Sequence, residues 1–364
     1  MMAGFVPPPY PYDRLDELKP KAEAHDGGAI DLSIGTPCDP PPPAVVEALA
    51  HSGAERGYPP SIGSVAFREA AAGWVQRRLG ATVDPATEVA ACIGTKELVA
   101  GIPQWLKLRA PERDTVLYPA IAYPSYEMGA ILAGCRAVPY ASVAKIDPAD
   151  AERALCLWVN VPGNPTGELG DLGAAAVWGR ARRVPVLSDE CYVEFTWDGP
   201  PRTILEHGTD GVLAVHSLSK RSNLAGVRAG FYAGDAELVH YLREIRKHAG
   251  FMLPGPVQAA GAVAYRDDTH VDAQRERYRR RLERLRVILR DGLGVEAPMP
   301  GGAFYLWAPA PDGDAWALVE RLASDAGILA SPGEFYGPLG AGHVRLAVVQ
   351  PDDRLELAAR RLGL

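Results

Sequence analysis

The sequence has few cysteines, and none of them is placed to build a disulfide or a metal framework. There are five, an odd number, and no two form a Cys-x-x-Cys pair. None of the eight histidines lies near another at the spacing of metal ligands. These absences predict reduced thiols in a cytoplasmic protein and argue against a metal site. The cysteines are Cys38, Cys92, Cys135, Cys156 and Cys191.

Long apolar runs and blocks of basic residues are also missing. No apolar stretch approaches the ~20 residues that span a bilayer, so we expect no membrane segment. Residues 1–12 are rich in proline and tyrosine and lack a cationic segment followed by an apolar core, which argues against a signal peptide. The net charge of −7 is spread along the chain, so nucleic acid is not an expected partner.

What the chain does contain is typical of a soluble α/β protein. Strand-like and helical segments alternate from about residue 45 to 250, which predicts a mostly parallel sheet flanked by helices. At 364 residues the chain is long enough for about two domains. We expect residues 45–265 to form a large domain, and residues 1–44 with 266–364 to form a small α+β domain.

The C-terminal part carries its own pattern. A long, charged helical segment over 268–290 leads to predicted strands over 303–307 and 343–348. Arg345 is the unusual residue in the second of these strands, because the residues around it are apolar. A salt-bridged arginine on an edge strand would explain this position.

The most informative stretch runs from 216 to 228. The buried strand 212–215 leads into it, and it contains Ser217, Ser219, Lys220 and Arg228. A lysine amine can condense with an aldehyde, while serines and a forked arginine suit a phosphate. The pattern therefore favours a cofactor that has both groups, although a surface lysine and arginine on a serine-rich loop would look similar.

Three further turns follow predicted strands. Gly94-Thr95 joins strand 89–93 to a helix over 96–108, a place where free N–H groups bind anions, and we expect Pro103 to kink this helix. Asn-Pro-Thr-Gly begins at Asn164, and Asp189 follows strand 184–188. An ordinary β-turn also accepts Asn-Pro-Thr-Gly, and the neighbouring Glu190 is an alternative charged group. Because ligands of open α/β sheets bind at the carboxyl ends of strands, these turns predict one shared site with Lys220.

These runs together resemble a known family. Ser-Leu-Ser-Lys at 217–220, followed by Gly-Val-Arg at 226–228, is similar to the signature of the fold-type I, class I/II aminotransferases, which use pyridoxal 5'-phosphate (PLP). Gly-Thr-Lys-Glu at 94–97, Asn-Pro-Thr-Gly at 164–167 and Asp-Glu-Cys-Tyr at 189–192 match further motifs. The resemblance covers essentially the whole chain and implies the PLP-dependent transferase fold of type I.

The resemblance also implies roles for individual residues. Lys220, Asp189 and Tyr192 would be catalytic. The residues implied at the cofactor are Gly94, Thr95, Lys96, Ser217, Ser219 and Arg228 at the phosphate, Tyr123 on the pyridine ring, Asn164 and Tyr192 at the phenolic oxygen, Asp189 at the ring nitrogen, and Lys220 at the aldehyde. Gly35, Asn164 and Arg345 would bind the substrate. Tyr58 would reach the cofactor phosphate of a neighbouring subunit, which implies a homodimer.

Several runs are particularly similar to actinobacterial N-succinyl-LL-2,6-diaminopimelate aminotransferases. These include Asp-Leu-Ser-Ile-Gly-Thr-Pro at 31–37 and Arg-Lys-His-Ala-Gly at 246–250. Such an enzyme exchanges an amino group between glutamate and N-succinyl-2-amino-6-oxopimelate in lysine biosynthesis. Lys96 is a candidate for binding a second substrate carboxylate, although it also suits a surface position at a helix start.

The resemblance leaves other activities open. An aminotransferase for aspartate, aromatic or N-acetylated substrates would carry the same motifs, as would a PLP-dependent C–S lyase. A PLP-sensing transcription regulator would need a basic helix-turn-helix, and the first 45 residues contain no such pattern.

Overall fold

A seven-stranded sheet forms the centre of the larger part of the molecule in the computed structural model, which describes residues 4–364. Its strand order is β2-β8-β7-β6-β5-β3-β4. Strands β3 to β7 pair in parallel, while β8 runs antiparallel to both β2 and β7. The strands are β2 (Val89–Cys92), β3 (Thr115–Pro119), β4 (Arg136–Tyr140), β5 (Ala154–Asn160), β6 (Val186–Asp189), β7 (Val212–Ser217) and β8 (Gly230–Gly234).

Helices cover both faces of this sheet, which explains why its central strands are buried along nearly their whole length. The predicted mostly parallel α/β sheet is confirmed. The helices of this part are α2 (Pro43–Ala50), α3 (Val65–Leu79), α4 (Thr95–Arg109), α5 (Ser125–Leu132), α6 (Pro148–Glu152), α7 (Leu172–Arg182), α8 (Leu218–Arg221), α9 (Ala236–His248) and α10 (Gly255–Arg266).

The remaining elements pack into a separate core. The N-terminal arm pairs with the C-terminal part through β1 and β10, which are parallel, and β11-β12-β9 form an antiparallel sheet. The elements are α1 (Lys19–Glu23), β1 (Ile30–Asp31), α11 (Thr269–Leu293), β9 (Tyr305–Pro309), α12 (Ala315–Ala326), β10 (Ile328–Leu329), β11 (Ser331–Pro332), β12 (His343–Ala347) and α13 (Asp352–Arg361). The domain limits at residues 45 and 265 stay a prediction.

Some predicted boundaries were wrong for local reasons. The strand predicted over 303–307 begins only at Tyr305, because Ala303 has a φ of 61°, which extended backbone does not allow. Strand β1 ends at Asp31, because the Asp31 carboxylate accepts hydrogen bonds from the N–H and hydroxyl of Ser33 and turns the chain. Helix α4 continues through Pro103.

Candidate active site

A cavity of about 440 Å³ opens at the carboxyl ends of β5, β6 and β7. The last residue of each of these strands lines it: Asn160, Asp189 and Ser217. The N-terminal arm and the antiparallel sheet close its other side. The cavity brings together twelve of the residues predicted from the sequence: Gly35, Thr95, Lys96, Tyr123, Asn164, Asp189, Tyr192, Ser217, Ser219, Lys220, Arg228 and Arg345.

Lys220 lies in the single-turn helix α8, directly after β7. Its Nζ donates a hydrogen bond to the carbonyl oxygen of Gly35. Burial, together with the positive charge of Arg345, lowers the pKa of Lys220 to about 8. No carboxylate of residues 4–364 forms an ion pair with this amine. A lysine in these surroundings is more often neutral at physiological pH than an exposed one, as a nucleophile or base must be.

Asp189 is the only acidic side chain among the lining residues. Its Oδ2 accepts a hydrogen bond of 2.8 Å from the hydroxyl of Tyr126, and its Oδ1 accepts one of 3.2 Å from the N–H of Cys191. Burial raises the pKa of this carboxyl, while both hydrogen bonds lower it. Asp189 has no cationic partner within the described chain, so the cavity offers a fixed carboxylate to a protonated ring nitrogen.

The groups predicted for a phosphate lie at the start of α4. Gly94 caps this helix without a side-chain hydrogen bond, so the first N–H groups remain free. A Cβ at Gly94 would overlap the guanidinium of Arg228, and glycine therefore lets that group approach the turn. Arg228 donates to the carbonyl of Ala225 at 2.9 Å and to Ser219 Oγ at 3.5 Å. A cation, serine hydroxyls and helix N–H groups fit a phosphate.

The turn before α4, where the phosphate site is predicted, is stabilised by an ion pair that the sequence motif does not reveal. Glu97 accepts hydrogen bonds from Arg246 at 2.6 and 3.1 Å, and Arg246 is 1% exposed. The same carboxylate accepts from the N–H of Ile93, at 3.0 Å. Glu97 and Arg246 thus fix the turn that precedes α4.

Arg345 lies on β12, the middle strand of the antiparallel sheet, and it is 2% exposed. It donates to Asn164 Oδ1 at 2.9 Å and to the carbonyl of Ser33, and no carboxylate of residues 4–364 pairs with it. The explanation as a salt-bridged arginine on an edge strand is therefore wrong. A buried guanidinium without a counter-ion is costly, and a substrate carboxylate would neutralise it.

Aromatic residues beyond the predicted site residues also line the cavity, with the exposed Tyr10 at its mouth. Tyr10 of the N-terminal arm shares a hydrogen bond of 2.8 Å with the hydroxyl of Tyr123. Lys96 donates to Tyr123 at 3.2 Å and lies 5.1 Å from the ring centroid of Tyr10. Tyr12, Tyr126 and Tyr305 also line the cavity. The tyrosine-rich N-terminus was the signal in the sequence for Tyr10 and Tyr12.

Tyr192 and Tyr58 occupy contrasting positions. The hydroxyl of Tyr192 lies in the cavity, 2.7 Å from that of Tyr305. Tyr58 is 97% exposed and lies outside the cavity of its own chain. Its predicted contact across a subunit interface stays a prediction.

Within residues 4–364, none of the helices combines the length and the apolar character needed to span a membrane. No group of three or more His, Cys, Asp or Glu side chains in the same range is arranged to hold a metal ion.

Known proteins resemble the chain along nearly its whole length. Residues 28–362 match the family of class I and II aminotransferases. The 4-dedimethylamino-4-oxo-anhydrotetracycline transaminase OxyQ of Streptomyces rimosus is 43% identical over 98% of this chain and 99% of its own length. An LL-diaminopimelate aminotransferase of Aquifex aeolicus is 35% identical over 98% and 96%. The solved structure of a probable N-succinyldiaminopimelate aminotransferase from Thermus thermophilus is 32% identical, with a TM-score of 0.85, over 96% and 98%.

Proposed function

The chain belongs to the class I and II aminotransferases, which depend on PLP, and we propose that it exchanges an amino group between glutamate and N-succinyl-2-amino-6-oxopimelate. One observation carries this choice of substrates. Two cations of the cavity, Arg345 and Lys96, are paired with no carboxylate of the described chain. Both proposed substrates have an α-carboxylate and a second, distal carboxylate, so two separate cations match them.

Residues at both ends of the cavity would bind the cofactor. Ser217, Ser219 and Arg228, with the turn before α4, would bind the phosphate. Asp189 would pair with the ring nitrogen, Tyr123 would pack against the ring, and Asn164 and Tyr192 would bind the phenolic oxygen. The residue set fits this group because it provides a free lysine amine, an unpaired carboxylate and a phosphate cradle in one cavity. When bound, the cofactor supplies an electron sink for the substrate carbon.

Lys220 would carry out the proton transfer. Its amine, once free, would accept the proton of the substrate Cα and deliver it to the carbon that is the aldehyde carbon of the free cofactor. The lowered pKa of Lys220, about 8, suits a group that must both take up and give back a proton near neutral pH. Arg345, fixed by Asn164, would hold the α-carboxylate so that the Cα faces this amine.

Lys96 would bind the distal carboxylate. Its ammonium lies at the cavity mouth between the hydroxyls of Tyr10 and Tyr123, at 3.5 and 3.2 Å. Both contacts are neutral, so they orient the ammonium without neutralising it. An incoming carboxylate would provide the missing negative charge.

A second candidate is an acceptor with an oxo group on a fused ring system. Two observations favour it: six tyrosines line the cavity, and OxyQ, a transaminase whose name specifies an oxo-anhydrotetracycline, is 43% identical over nearly the full length of both chains. Tyrosine rings pack well against flat apolar surfaces. In that case Arg345 would still bind the carboxylate of the amino donor.

One assay with parallel acceptors separates these candidates. Purified enzyme with PLP is incubated with 2-oxoglutarate and N-succinyl-LL-diaminopimelate, and glutamate is measured. Parallel reactions replace this donor by LL-diaminopimelate, or combine glutamate with the oxo-anhydrotetracycline. The proposal expects the highest kcat/KM with the succinylated donor. Preference for either other compound would discard the proposed substrate, and Lys220→Ala serves as the inactive control.

We also propose that the enzyme is a homodimer in which Tyr58 completes the partner's phosphate site. The support is that Tyr58 is almost fully exposed on its own chain. Phe5 and Val6 are further large apolar side chains exposed on the same chain. Burial of such residues between two subunits would remove them from water.

A further inference from the structure

Tyr305 lies between two residues that have separate parts in the proposed function. Its hydroxyl is 2.7 Å from the hydroxyl of Tyr192, and its ring centroid is 4.4 Å from Cζ of Arg345. The side chain is 1% exposed and lines the cavity. No motif in the sequence pointed to it.

The fold fixes the position of this ring. Tyr305 pairs with Ala347 across the sheet, and Arg345 pairs with Trp307, so Tyr305 and Arg345 are diagonal neighbours on one face. On the other side, a Cβ at Gly35 would lie 3.0 Å from Cε1 of Tyr305 and closer still to its hydroxyl. Glycine at position 35 therefore leaves room for the tyrosine hydroxyl.

We infer that Tyr305 is a positioning residue that couples the two halves of the site, with its hydroxyl acting on Tyr192 and its ring acting on Arg345. The inference rests on the roles proposed for Tyr192 and Arg345. It assigns Tyr305 no contact with the reacting atoms.

The proposed role of Tyr192 determines which hydroxyl of the Tyr192–Tyr305 pair is the hydrogen-bond donor. Tyr192 must direct its own proton into the cavity if it is to donate to the phenolic oxygen of the cofactor. Within residues 4–364, Tyr305 is the hydrogen-bond partner of the Tyr192 hydroxyl, so it must then be the donor to Tyr192. When the Tyr305 hydroxyl donates to the Tyr192 oxygen, the O–H of Tyr192 becomes a stronger hydrogen-bond donor, because the two bonds polarise each other.

This chain of hydroxyls has a measurable consequence at Lys220. A strong hydrogen bond from Tyr192 would reduce the negative charge on the phenolic oxygen of the cofactor. That oxygen would then stabilise the proton on the neighbouring lysine nitrogen less. The pKa of that nitrogen in the cofactor-bound enzyme is therefore lower with the Tyr305 hydroxyl than without it.

The ring acts on the substrate side. The Arg345 guanidinium lies between the rings of Tyr305 and Tyr336, with Cζ 4.4 and 4.9 Å from their centroids. A desolvated cation between two aromatic faces is held in orientation as well as stabilised. Phenylalanine at position 305 would keep this contact, whereas leucine would remove it.

Four variants of the cofactor-bound enzyme test the coupling: Tyr305→Phe, Tyr305→Leu, Tyr192→Phe and Tyr336→Phe. Tyr336 is the matched control, because its ring also faces Arg345 while its hydroxyl bonds Tyr12, at 2.7 Å. Two quantities are measured: the pKa of the lysine nitrogen from the pH dependence of the cofactor absorbance, and the Kd of maleate, a dicarboxylate without an amino group.

Tyr305→Phe should raise the spectroscopic pKa by about half a unit to one unit, the scale of one hydrogen bond, and leave the Kd of maleate within twofold. Tyr305→Leu should raise the same pKa and also weaken maleate binding by about 3- to 10-fold. Tyr192→Phe should raise the pKa at least as much, and Tyr336→Phe should leave it unchanged. Tyr305→Phe keeps the packing volume, so it carries the test if the leucine variant does not fold.

An unchanged pKa in Tyr305→Phe beside a raised pKa in Tyr192→Phe would overturn the coupling and leave the proposed function intact. If the pKa stayed unchanged in both Tyr305→Phe and Tyr192→Phe, the proposed role of Tyr192 would be wrong, and the coupling would be wrong with it. An equal rise in Tyr336→Phe would show a general loosening of the site and would also overturn the inference, as would a tenfold loss of maleate binding in Tyr305→Phe.

Discussion

The hydroxyl of Tyr126 donates a hydrogen bond of 2.8 Å to Oδ2 of Asp189. Tyr126 is 2% exposed and lies on α5, while Asp189 ends β6. The bond connects the carboxylate of Asp189 to a helix on the face of the sheet. It favours the ionised form of Asp189, whereas burial of this carboxyl favours the neutral form. Tyr126 therefore belongs to the site through Asp189.

Replacing Tyr126 with phenylalanine should raise the pKa of Asp189 and weaken its pairing with the ring nitrogen. A hydrogen bond to a charged group contributes about 1.5–3 kcal/mol, so kcat/KM should fall by about 10-fold or more. The loss should be larger at pH 5.5 than at pH 8, because the Asp189 carboxyl protonates first at the acid end. Tyr140→Phe, which removes a hydroxyl bonded to the carbonyl of Trp158, is the matched control. Equal activity of both variants at both pH values would show that Tyr126 only fills space.

Arg228→Ala should release the cofactor more easily. Its guanidinium is the charged group at the phosphate turn, and loss of one charged hydrogen bond corresponds to about 10- to 150-fold weaker PLP binding. The Kd is measured by titrating cofactor-free protein with PLP. Arg284→Ala, which removes a half-buried arginine paired with Glu356, should bind PLP normally. A Kd for Arg228→Ala equal to that of the control would make Arg228 a structural residue.

Lys96→Met should raise the KM of substrates that have a second carboxylate and leave the KM of other substrates nearly unchanged. The variant keeps much of the side-chain length and loses the charge, so the KM for glutamate and 2-oxoglutarate should rise by about 10-fold, on the scale of one charge-assisted hydrogen bond. The KM for alanine, which has no distal carboxylate, should stay within twofold. A parallel rise for alanine would place Lys96 at the cofactor phosphate, as the sequence motif implied.

Mixed dimers test the position of Tyr58. A Lys220→Ala chain paired with a Tyr58→Ala chain has one intact site if Tyr58 acts across the interface, and none if it acts within its own chain. Random reassociation of the two variants should restore about a quarter of the wild-type activity at limiting PLP, because about half of the dimers are mixed and each has one intact site. No gain on mixing, or a monomer by light scattering, would contradict the shared site.

The sequence predicted the strand ends better than the side chains that surround them. Asn164 and Lys220 follow buried strands and Asp189 ends one, and a parallel sheet necessarily brings such ends together. Strand β4 was missed because it lies at the sheet edge, contains Pro139 and is only partly buried, so its apolar pattern is weak.

Other residues of the cavity depend on contacts between distant parts of the chain. Tyr10 meets Tyr123, 113 positions away, and Tyr192 meets Tyr305 at the same separation. No local pattern encodes such pairs, since they depend on how the N-terminal arm and the antiparallel sheet pack against the large sheet. Arg345 was found because a charged residue in an apolar strand is unusual in itself.

The covalent role of Lys220 is the central claim, and borohydride reduction tests it most directly. The purified enzyme with PLP should be yellow, and reduction should remove the colour and fix the cofactor to one lysine, which peptide mass spectrometry identifies. The account predicts modification at Lys220, no fixed cofactor in Lys220→Ala, and a loss of turnover in that variant of at least about 10²- to 10⁴-fold. Modification of Lys96 or another lysine in the wild-type enzyme, or near-normal turnover of Lys220→Ala, would contradict it.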